Sequence, residues 1–359
     1  MKNNLSFLIS GGGTGGHIFP AIAIGKALQA RYPNASIEYV GAKDKMEMQK
    51  VPEAGFKITG LWISGIDRKL SLKNLAFPFK LLSSLMKSMF IINRTKPDVV
   101  IGVGGFASGP LLYAANLRNI PTLVQEQNSY PGITNKLLAS KATKICVAFD
   151  GMDRFFSKDK IVVTGNPIRQ QLLICTKTTS EARAHFGLKD VPTILIIGGS
   201  LGARTINKAI ENNLNLLKDE GVQIIWQTGK FYQEKNEVLG IQTIFITEME
   251  LAYRAADVVI SRAGASSLSE LSALGKASIL VPSPNVTEDH QTKNAMALVT
   301  KSAAEMVTDA NASRDLVPHA LQLIVNNDKI ESLQNNIKAL GKVNATNEIV
   351  IEIEKLLTK

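Results

Sequence analysis

Two stretches of the chain share one construction, an apolar strand that runs into a glycine-rich turn. The first is LSFLISGGGTGG at residues 5–16, and the second is TILIIGGSLGA at residues 193–203. Glycines keep side chains out of a tight turn, so the backbone N–H groups at the start of the following helix can approach a phosphate closely. The pattern predicts two nucleotide-binding α/β halves that face each other across a cleft.

Short apolar runs recur between amphipathic segments along the chain. They lie at residues 5–10, 36–40, 98–103, 121–124, 144–148 and 160–163, and then at 193–198, 222–226, 243–246, 257–260 and 278–281. Buried runs that alternate with helices, without hairpin turns such as Asn-Gly, are typical of parallel sheets with crossover helices. We therefore predict two doubly wound, Rossmann-like α/β domains, residues 1–165 and 166–345. Residues 346–359 are predicted to form a C-terminal helix that packs back on the first domain.

Length and cysteine usage limit the class of protein. A chain of 359 residues can bury two cores without disulfides. Cys146 and Cys175 are too few for a disulfide framework and lack the spacing of metal ligands. Because the sequence contains no run of about 18 uncharged apolar residues, we expect a cytosolic protein that neither spans a membrane nor is exported.

The excess positive charge is confined to the first half of the chain. Residues 1–166 contain 21 Lys and Arg against 10 Asp and Glu, whereas residues 167–359 contain 20 against 21. This asymmetry indicates an anionic partner for the first domain, which is a nucleic acid, a phosphate-rich substrate or an anionic lipid surface. No zinc finger, RNA-binding signature or recognition-helix pattern favours nucleic acid.

A third helix start has the features of a nucleotide site. The buried strand at residues 256–260 turns at 261–264 into a helix rich in small hydroxyl residues, which starts at Ala265. The N–H groups and positive end of such a helix stabilise a diphosphate, and Glu270 could accept both hydroxyls of a ribose. The same residues also fit a structural interpretation, in which Ser266 caps the helix and Glu270 is an ordinary first-turn carboxylate.

Other polar clusters follow strand ends, where open α/β sheets bind ligands. They are residues 282–291, in which His290 and Gln291 are expected to face the cleft, residues 102–109 and residues 125–128. A dinucleotide cofactor would need an acidic residue at the end of the second strand, but Glu38 lies inside that strand. His17, directly behind the first glycine turn, is a candidate catalytic group.

Six ordered segments together resemble the MurG family, the peptidoglycan N-acetylglucosaminyltransferases. They are GGGTGGHIFP (11–20), GGFASGP (104–110), QEQN (125–128), GNPIR (165–169), GGSLGA (198–203) and HQ (290–291). The resemblance implies a two-domain glycosyltransferase fold of GT-B type. It implies transfer of N-acetylglucosamine from UDP-N-acetylglucosamine to undecaprenyl-diphospho-muramoyl-pentapeptide, with inversion at the anomeric carbon. Since no Asp-x-Asp motif occurs, we expect no obligatory cofactor, although a divalent ion can still be stimulatory.

The family motifs also imply roles for individual residues. His17 would be the base that deprotonates the muramoyl 4-hydroxyl. The residues expected to contact the UDP-sugar are Thr14, Gly15, Gly16, Asn128, Arg169, Ser200, the backbone of Ile246, Ala265, Ser266, Ser267, Leu268, Ser269, Glu270 and Gln291. Gly104, Gly105 and Lys136 are assigned to the acceptor side. Phe106 stands where many members of the family have tyrosine, so a phenolic role there cannot apply.

A basic, apolar segment lies between Leu61 and Lys96, with seven basic residues and one acid. On a helix, Lys73, Lys80, Lys87 and Arg94 would form one stripe beside an apolar surface made of Leu75, Phe79, Leu82, Leu85, Met86 and Met89. Either this apolar face packs on the sheet, or it docks on anionic lipid, which the resemblance favours. We expect a peripheral protein at the cytoplasmic face of the bacterial plasma membrane. Its expected partners are UDP-N-acetylglucosamine, the undecaprenyl-linked acceptor, an anionic membrane surface and cell-wall synthesis proteins, and not nucleic acid.

Two other functions stay open at this point. A UDP-N-acetylglucosamine 2-epimerase shares the fold and the nucleotide, but it would move a proton with carboxylates and would need no membrane face. A membrane-surface sensor would bind the nucleotide sugar without turnover. The basic 61–96 segment and the glycine turn that leads to His17 argue against the epimerase.

Overall fold

The computed structural model describes residues 4–65 and 75–358, which form two compact α/β units. Unit 1 consists of Met1–Ile168 and Asn344–Lys359, and unit 2 consists of Arg169–Val343. The first division of the chain therefore lies after Ile168 rather than after Gly165. Both units contain a parallel sheet covered by helices, so the two predicted doubly wound α/β domains are confirmed.

The sheet of unit 1 has seven parallel strands. They are β1 (Ser6–Ser10), β2 (Ser36–Ala42), β3 (Lys57–Leu61), β4 (Val99–Gly102), β5 (Thr122–Glu126), β6 (Lys144–Val147) and β7 (Ile161–Val163), in the spatial order β3-β2-β1-β4-β5-β6-β7. The helices between them are α1 (Gly15–Arg31), α2 (Glu47–Glu53), α3 (Phe77–Thr95), α4 (Ser108–Leu117) and α5 (Ile133–Ala139). A short 3-10 turn lies at Met152–Arg154.

The sheet of unit 2 has six parallel strands. They are β8 (Thr193–Ile197), β9 (Gln223–Gln227), β10 (Gly240–Thr243), β11 (Val258–Ser261), β12 (Ser278–Leu280) and β13 (Glu305–Met306), in the order β10-β9-β8-β11-β12-β13. Its helices are α6 (Gln170–Leu173), α7 (Thr179–His185), α8 (Arg204–Glu211), α9 (Leu214–Asp219), α10 (Met249–Ala255), α11 (Ala265–Leu274), α12 (His290–Val299), α13 (Ala312–Ile324) and α14 (Asn327–Ala339). Further 3-10 turns lie at Thr287–Asp289 and Asp309–Asn311.

Strand order reverses once in each sheet, between β1 and β4 in unit 1 and between β8 and β11 in unit 2. Connections leave in opposite directions at such a point, which opens a crevice at the carboxyl ends of the strands. β1 and β8 lead into the two glycine turns, and β11 leads into the third helix start. The topology therefore places the predicted ligand motifs at the two crevices.

Both faces of the first sheet are buried, as a parallel sheet requires. Phe7 and Ile9 of β1 face one hydrophobic cluster, and Leu8 faces the other. The last helix, α15 (Ala345–Leu357), contributes Ile349 and Ile353 to the cluster that contains Phe7. Since these two isoleucines are four positions apart, they share one helix face. This burial attaches the C-terminal helix to unit 1.

The predicted runs miss two edge strands and misplace a third. β3 and β13 have no counterpart among the predicted runs, because β3 alternates with polar residues and contains Gly60, and β13 has only two residues. The run predicted at 243–246 is wrong, since β10 ends at Thr243. The apolar residues Ile244 and Phe245 that follow are exposed loop residues.

Within residues 4–65 and 75–358, no helix has the length and hydropathy to cross a bilayer.

Candidate functional site

Two glycine-rich loops meet backbone to backbone at the crevice of unit 1. The Gly12 N–H donates to the Gly104 carbonyl at 3.2 Å. Gly104 and Gly105 have φ angles of +101° and +90°, and a Cβ atom on Gly105 would lie 2.5 Å from the Gly12 carbonyl oxygen. Only glycine fits such a contact and such a backbone. The structure thus brings the first glycine turn together with the predicted acceptor residues Gly104 and Gly105.

His17 lies in the first turn of α1 and packs against the second of these loops. Its Nδ1 atom is 3.0 Å from the Gly12 carbonyl oxygen, and a Cβ atom on Gly104 would lie 2.7 Å from its Cδ2 atom. A carbonyl can only accept a hydrogen bond, so Nδ1 carries the proton. In the neutral ring, Nε2 is then the nitrogen that can take up a proton. This geometry fits the base role predicted for His17.

Not every N–H group of the first glycine turn points outward. The Gly13 N–H donates to Oε2 of Glu47 at 2.9 Å. The N–H groups of His17 and Ile18 both donate to the Thr14 carbonyl. An anion at this helix start would therefore use the N–H groups of Thr14, Gly15 and Gly16, the three positions predicted from the sequence.

The buried carboxyl group of Glu126 holds the 125–128 segment in place through hydrogen bonds. Glu126 accepts the backbone N–H and the side-chain amide of Asn128 at 2.9 and 3.1 Å. It also accepts the Gly132 N–H at 3.1 Å and the Asn135 amide at 2.8 Å. Glu126 therefore fixes both the loop after β5 and the orientation of Asn128, whose contact with the sugar remains a prediction.

Lys136 of α5 lies over aromatic rings of its own unit. Its Nζ atom is 3.9 Å from the centroid of Tyr130 and 5.4 Å from that of Phe155. A cation over a ring face is attracted by the ring quadrupole. These two cation–π contacts fix the position of the Lys136 side chain, whose role on the acceptor side remains a prediction.

In unit 2, a buried glutamine joins the second glycine turn to the loop after β10. Gln227, the last residue of β9, donates its amide to the Gly199 carbonyl at 3.2 Å and accepts the Ile246 N–H at 3.0 Å. The predicted backbone contact of Ile246 with uracil must therefore use its carbonyl oxygen, unless Gln227 moves. Ser200 is exposed and lies in the glycine turn between Gly199 and the start of α8.

The third helix start, α11, begins without a side-chain cap. Gly264 occupies the N-cap position, so Ser266 is not the cap and that part of the structural interpretation is wrong. Ala265, Ser266 and Ser267 form the first turn, whose N–H groups have no partner within the helix. Leu268 is buried and its N–H is bonded to Gly264, so we expect no polar contact from it. The Ser269 hydroxyl donates to the Ala265 carbonyl at 2.9 Å.

Glu270 is in contact with Arg169, and both are predicted nucleotide residues. Nε and Nη2 of Arg169 lie 2.9 and 3.0 Å from the two carboxylate oxygens. The hydroxyl of Tyr253 donates to Oε2 at 3.1 Å. Burial, and after it the charge of Glu270, raises the pKa of Tyr253 well above its usual value, so this hydroxyl keeps its proton.

The remaining predicted nucleotide-side residue, Gln291, belongs to the first turn of α12 after β12. Its Oε1 atom accepts the Ser283 N–H at 2.9 Å, which ties the proline-containing loop to the helix. Nδ1 of His290 donates to the Thr287 carbonyl at 2.7 Å. Arg169 aside, the predicted residues of unit 2 thus follow the carboxyl ends of neighbouring strands.

The basic segment of unit 1 differs from its predicted surface. Lys73 lies outside the described residues. Lys80 donates to the Ser64 hydroxyl at 2.9 Å, Lys87 donates to the Gly60 carbonyl at 2.8 Å, and Arg94 pairs with Glu38. These cations therefore bond to β2, to β3 and to the loop that follows β3, rather than forming a freely solvated stripe.

The apolar side of α3 divides into an inner and an outer face. Leu85 and Met89 pack against the core, so their assignment to the exposed surface is wrong. Phe79, Leu82, Met86 and Phe90 are 69, 57, 60 and 67% exposed, and Leu75 before the helix is 69% exposed. The inner face contains Ser84, whose hydroxyl donates to the Trp62 carbonyl. The outer face of α3, meaning Phe79, Leu82, Met86 and Phe90, is therefore apolar and faces solvent.

Sequence reasoning missed three buried residues that hold the site in place. They are Glu47, Gln227 and Tyr253. Each stands in a helix or strand and bonds a residue far away in sequence, so no local pattern identifies it.

Comparison with known proteins agrees with this arrangement. The glycosyltransferase family 28 N-terminal domain matches residues 7–147, and the family 28 C-terminal domain matches residues 193–350. The chain belongs to glycosyltransferase family 28. Within it, the chain is a member of the MurG family, as its relatives show. Two of these are named UDP-N-acetylglucosamine--N-acetylmuramyl-(pentapeptide) pyrophosphoryl-undecaprenol N-acetylglucosamine transferase.

The relative from Cytophaga hutchinsonii is 55% identical over 98% of this chain and 96% of its own length. The relative from Christiangramia forsetii is 53% identical over 99% of both chains. The crystal structure of MurG from Acinetobacter baumannii superposes with a TM-score of 0.75 at 27% identity, covering 98% of this chain and 99% of that one. Family membership, the hexosyltransferase class and the two-domain α/β fold predicted from the sequence are thereby confirmed.

Proposed function

We propose that this chain carries out the reaction for which its relatives are named. It moves N-acetylglucosamine from UDP-N-acetylglucosamine to the 4-hydroxyl of the undecaprenyl-linked muramoyl pentapeptide, which converts lipid I into lipid II. The observation that supports catalysis rather than binding alone is the 3.0 Å contact between Nδ1 of His17 and the Gly12 carbonyl oxygen. The Gly12 carbonyl holds the proton on Nδ1, which leaves Nε2 as a proton acceptor beside the glycine loops.

Unit 2 supplies the groups for the donor nucleotide. The first turn of α11 offers backbone N–H groups and the positive end of the helix dipole to the diphosphate. Glu270 stands one turn further in, as the acceptor for the ribose hydroxyls, and Arg169 beside it provides a cation for the phosphates. Ser200, Ile246 and Gln291, each following a neighbouring strand, complete the donor site.

The reaction is a direct displacement. The muramoyl 4-hydroxyl oxygen forms a bond to the anomeric carbon while its proton passes to Nε2 of His17. The bond from that carbon to the UDP oxygen breaks, and UDP leaves with the electron pair from the opposite face, so the configuration inverts. The N-terminus of α11 stabilises the charge that develops on the leaving diphosphate. The proposal includes no obligatory cofactor.

The acceptor is a lipid, and the outer face of α3 supplies a surface for the bilayer. Large exposed apolar patches are uncommon on soluble proteins and mark interaction sites. α3 packs against α4, where Tyr113 and Leu117 are also exposed, and α4 packs against α5, where Ile133 and Leu137 are exposed. With the positive charge of residues 1–166, this surface fits peripheral docking on an anionic membrane. We place the protein at the cytoplasmic face of the plasma membrane, where UDP-sugars are available.

One assay separates this function from its alternatives. The purified chain is incubated with labelled UDP-N-acetylglucosamine, with and without a soluble lipid I analogue. We expect label in the acceptor product only when the analogue is present. Acceptor-independent formation of the 2-epimer would establish an epimerase, and nucleotide binding without any product would establish a sensor.

A further inference from the structure

We propose that Glu47 is a positioning residue that selects the tautomer of His17 through the peptide group between Gly12 and Gly13. The inference rests on the proposed role of His17 as the base. Glu47 is the first residue of α2 and only 1% exposed. Its Oε2 atom accepts the Gly13 N–H at 2.9 Å, and its Oε1 atom accepts the Ala42 N–H at 3.0 Å. Glu47 therefore bonds the glycine turn after β1 to the end of β2.

Two glycines, Gly12 and Gly41, leave space for the Glu47 side chain. A Cβ atom on Gly12 would overlap Oε1 of Glu47, and a Cβ atom on Gly41 would lie 2.5 Å from its Cγ atom. With Glu47 in this position, neither glycine can carry a side chain. Burying a carboxyl group is costly unless hydrogen bonds compensate for the lost water. Two backbone N–H groups provide that compensation here.

The contact acts on His17 because one peptide group carries both hydrogen bonds. The Gly13 N–H and the Gly12 carbonyl belong to the same planar unit and point in opposite directions. On one side the N–H donates to Glu47, and on the other side the carbonyl accepts from Nδ1 of His17 at 3.0 Å. Gly13 has a φ angle of +86°, so the loop could turn this peptide over at little cost without an anchor.

Fixing the peptide plane has a chemical consequence. With the carbonyl aimed at the ring, Nδ1 must hold the proton and Nε2 is the basic nitrogen. Hydrogen bonds in series also polarise one another, so the carboxyl group strengthens the carbonyl as an acceptor. If the peptide turned over, an N–H group would face Nδ1 and the proton would move to Nε2. Glu47 therefore keeps the ring in the tautomer whose basic nitrogen is Nε2.

The test combines ring spectroscopy with kinetics. In wild-type protein labelled with 15N in histidine, we expect the neutral His17 ring to show a protonated Nδ1 and an unprotonated Nε2. In Glu47→Gln, which keeps the volume but turns one acceptor into a donor, the Nε2-protonated form should rise. Transfer to a soluble lipid I analogue should fall in kcat by about 10- to 100-fold, the range found when a hydrogen-bond partner that fixes the tautomer of a metal-ligating histidine is removed. KM for UDP-N-acetylglucosamine should be unchanged.

Glu53→Gln is the matched control, since Glu53 belongs to the same helix but pairs with Lys50 at the surface. It should leave both the spectrum and kcat unchanged. A wild-type His17 ring protonated on Nε2 would overturn the proposal, even if Glu47→Gln does not fold. So would a folded Glu47→Gln with wild-type kcat and tautomer. A wild-type enzyme that transfers no sugar would contradict the proposed function instead, whatever the ring spectrum shows.

Discussion

Arg169 and Glu270 form a bidentate ion pair, with Nε to Oε1 at 2.9 Å and Nη2 to Oε2 at 3.0 Å. Glu270 is largely buried, and Arg169 is about half exposed. Each carboxylate oxygen can accept more than one hydrogen bond, and Oε1 has Arg169 as its protein donor here. The carboxylate is thus oriented before a nucleotide arrives, and it keeps acceptor capacity for a ribose hydroxyl.

Replacing Glu270 with alanine should weaken UDP binding in a protein that still folds. Loss of a charge-assisted hydrogen bond costs roughly 1.5–3 kcal/mol of binding free energy. The variant also leaves the buried Tyr253 hydroxyl without this acceptor, so denaturant unfolding is measured beside UDP affinity. Calorimetric titration with UDP measures the change, with Glu220→Ala, at an exposed position of the same unit, as control. Unchanged affinity for UDP would reject the ribose assignment.

Tyr253→Phe should weaken UDP binding about threefold to tenfold, because the variant loses a charge-assisted hydrogen bond that orients the Glu270 carboxylate. The effect is smaller than the roughly 1.5–3 kcal/mol of such a bond, since Tyr253 acts on the nucleotide only through Glu270. The effect should disappear in a Glu270→Ala background, since the hydroxyl acts through that carboxylate. A double-mutant cycle of UDP affinities measures this coupling. Additive effects of the two substitutions would show that Tyr253 acts independently of Glu270.

His17→Ala should act on the chemical step. We expect kcat to fall by about 10²–10⁴, as for loss of a general base, while affinity for UDP stays near that of the wild type. Steady-state kinetics with a soluble lipid I analogue, together with UDP titration, separates the two quantities. Normal turnover by the variant would mean that the base is another group, or that none is needed.

The double variant Phe79→Asp with Leu82→Asp should lose binding to anionic vesicles and retain turnover of a soluble acceptor. The substitutions place charge on the outer face of α3 without touching its core face. Binding by the wild type should weaken with salt, because charges are screened over a Debye length of about 8 Å at physiological ionic strength. Vesicle sedimentation measures both effects.

Val325→Asp is the control for this variant, since Val325 is 74% exposed in unit 2. It should sediment with vesicles as the wild type does. Replacing Lys80 and Lys87 with glutamate should reduce vesicle binding less than the Phe79→Asp, Leu82→Asp double variant does. Both lysines are already hydrogen-bonded within unit 1. Full vesicle binding by the Phe79→Asp, Leu82→Asp double variant would show that the outer face of α3 is not the docking surface.

Lys276 predicts a dependence of stability on alkaline pH. Burial lowers the pKa of this lysine from 10.5 to about 8, so between these values the unfolded chain binds a proton that the folded chain does not. Stability should therefore rise as pH increases from about 8 to 10.5, and the penalty for a charged Lys276 is fully present below 8. At about 1.36 kcal/mol per pKa unit, the total is up to about 3 kcal/mol.

Denaturant unfolding of the wild type and of Lys276→Met across this range measures the effect. The Met variant lacks the group, so its stability advantage should shrink as pH rises. The Nζ atom donates to the Ala256 carbonyl at 2.8 Å, a bond that a neutral amine also makes. A stability difference that stays constant with pH would contradict the lowered pKa.

Local patterns were sufficient for the architecture and for the most exposed parts of the site. Apolar runs that alternate with helices predicted both parallel sheets, and glycines at strand ends predicted the loops beside His17 and Ser200. Local patterns failed at the edge strands β3, β10 and β13, because these strands bury too few residues to show an apolar run in the sequence. They also failed on α3, which is apolar on two sides, so spacing did not separate the partly buried Leu85 from the exposed Leu82.

The sequence by itself thus determined the two doubly wound folds, the glycine turns and the family, since each depends on contiguous residues or on ordered motifs. Tertiary structure alone decided which distant groups meet. Glu47 reaches Gly13 across 34 positions, and Arg169 reaches Glu270 across 101. Packing also decided which apolar face of α3 turns to solvent. Such choices depend on the total burial and hydrogen bonding of the folded unit, which no local spacing encodes.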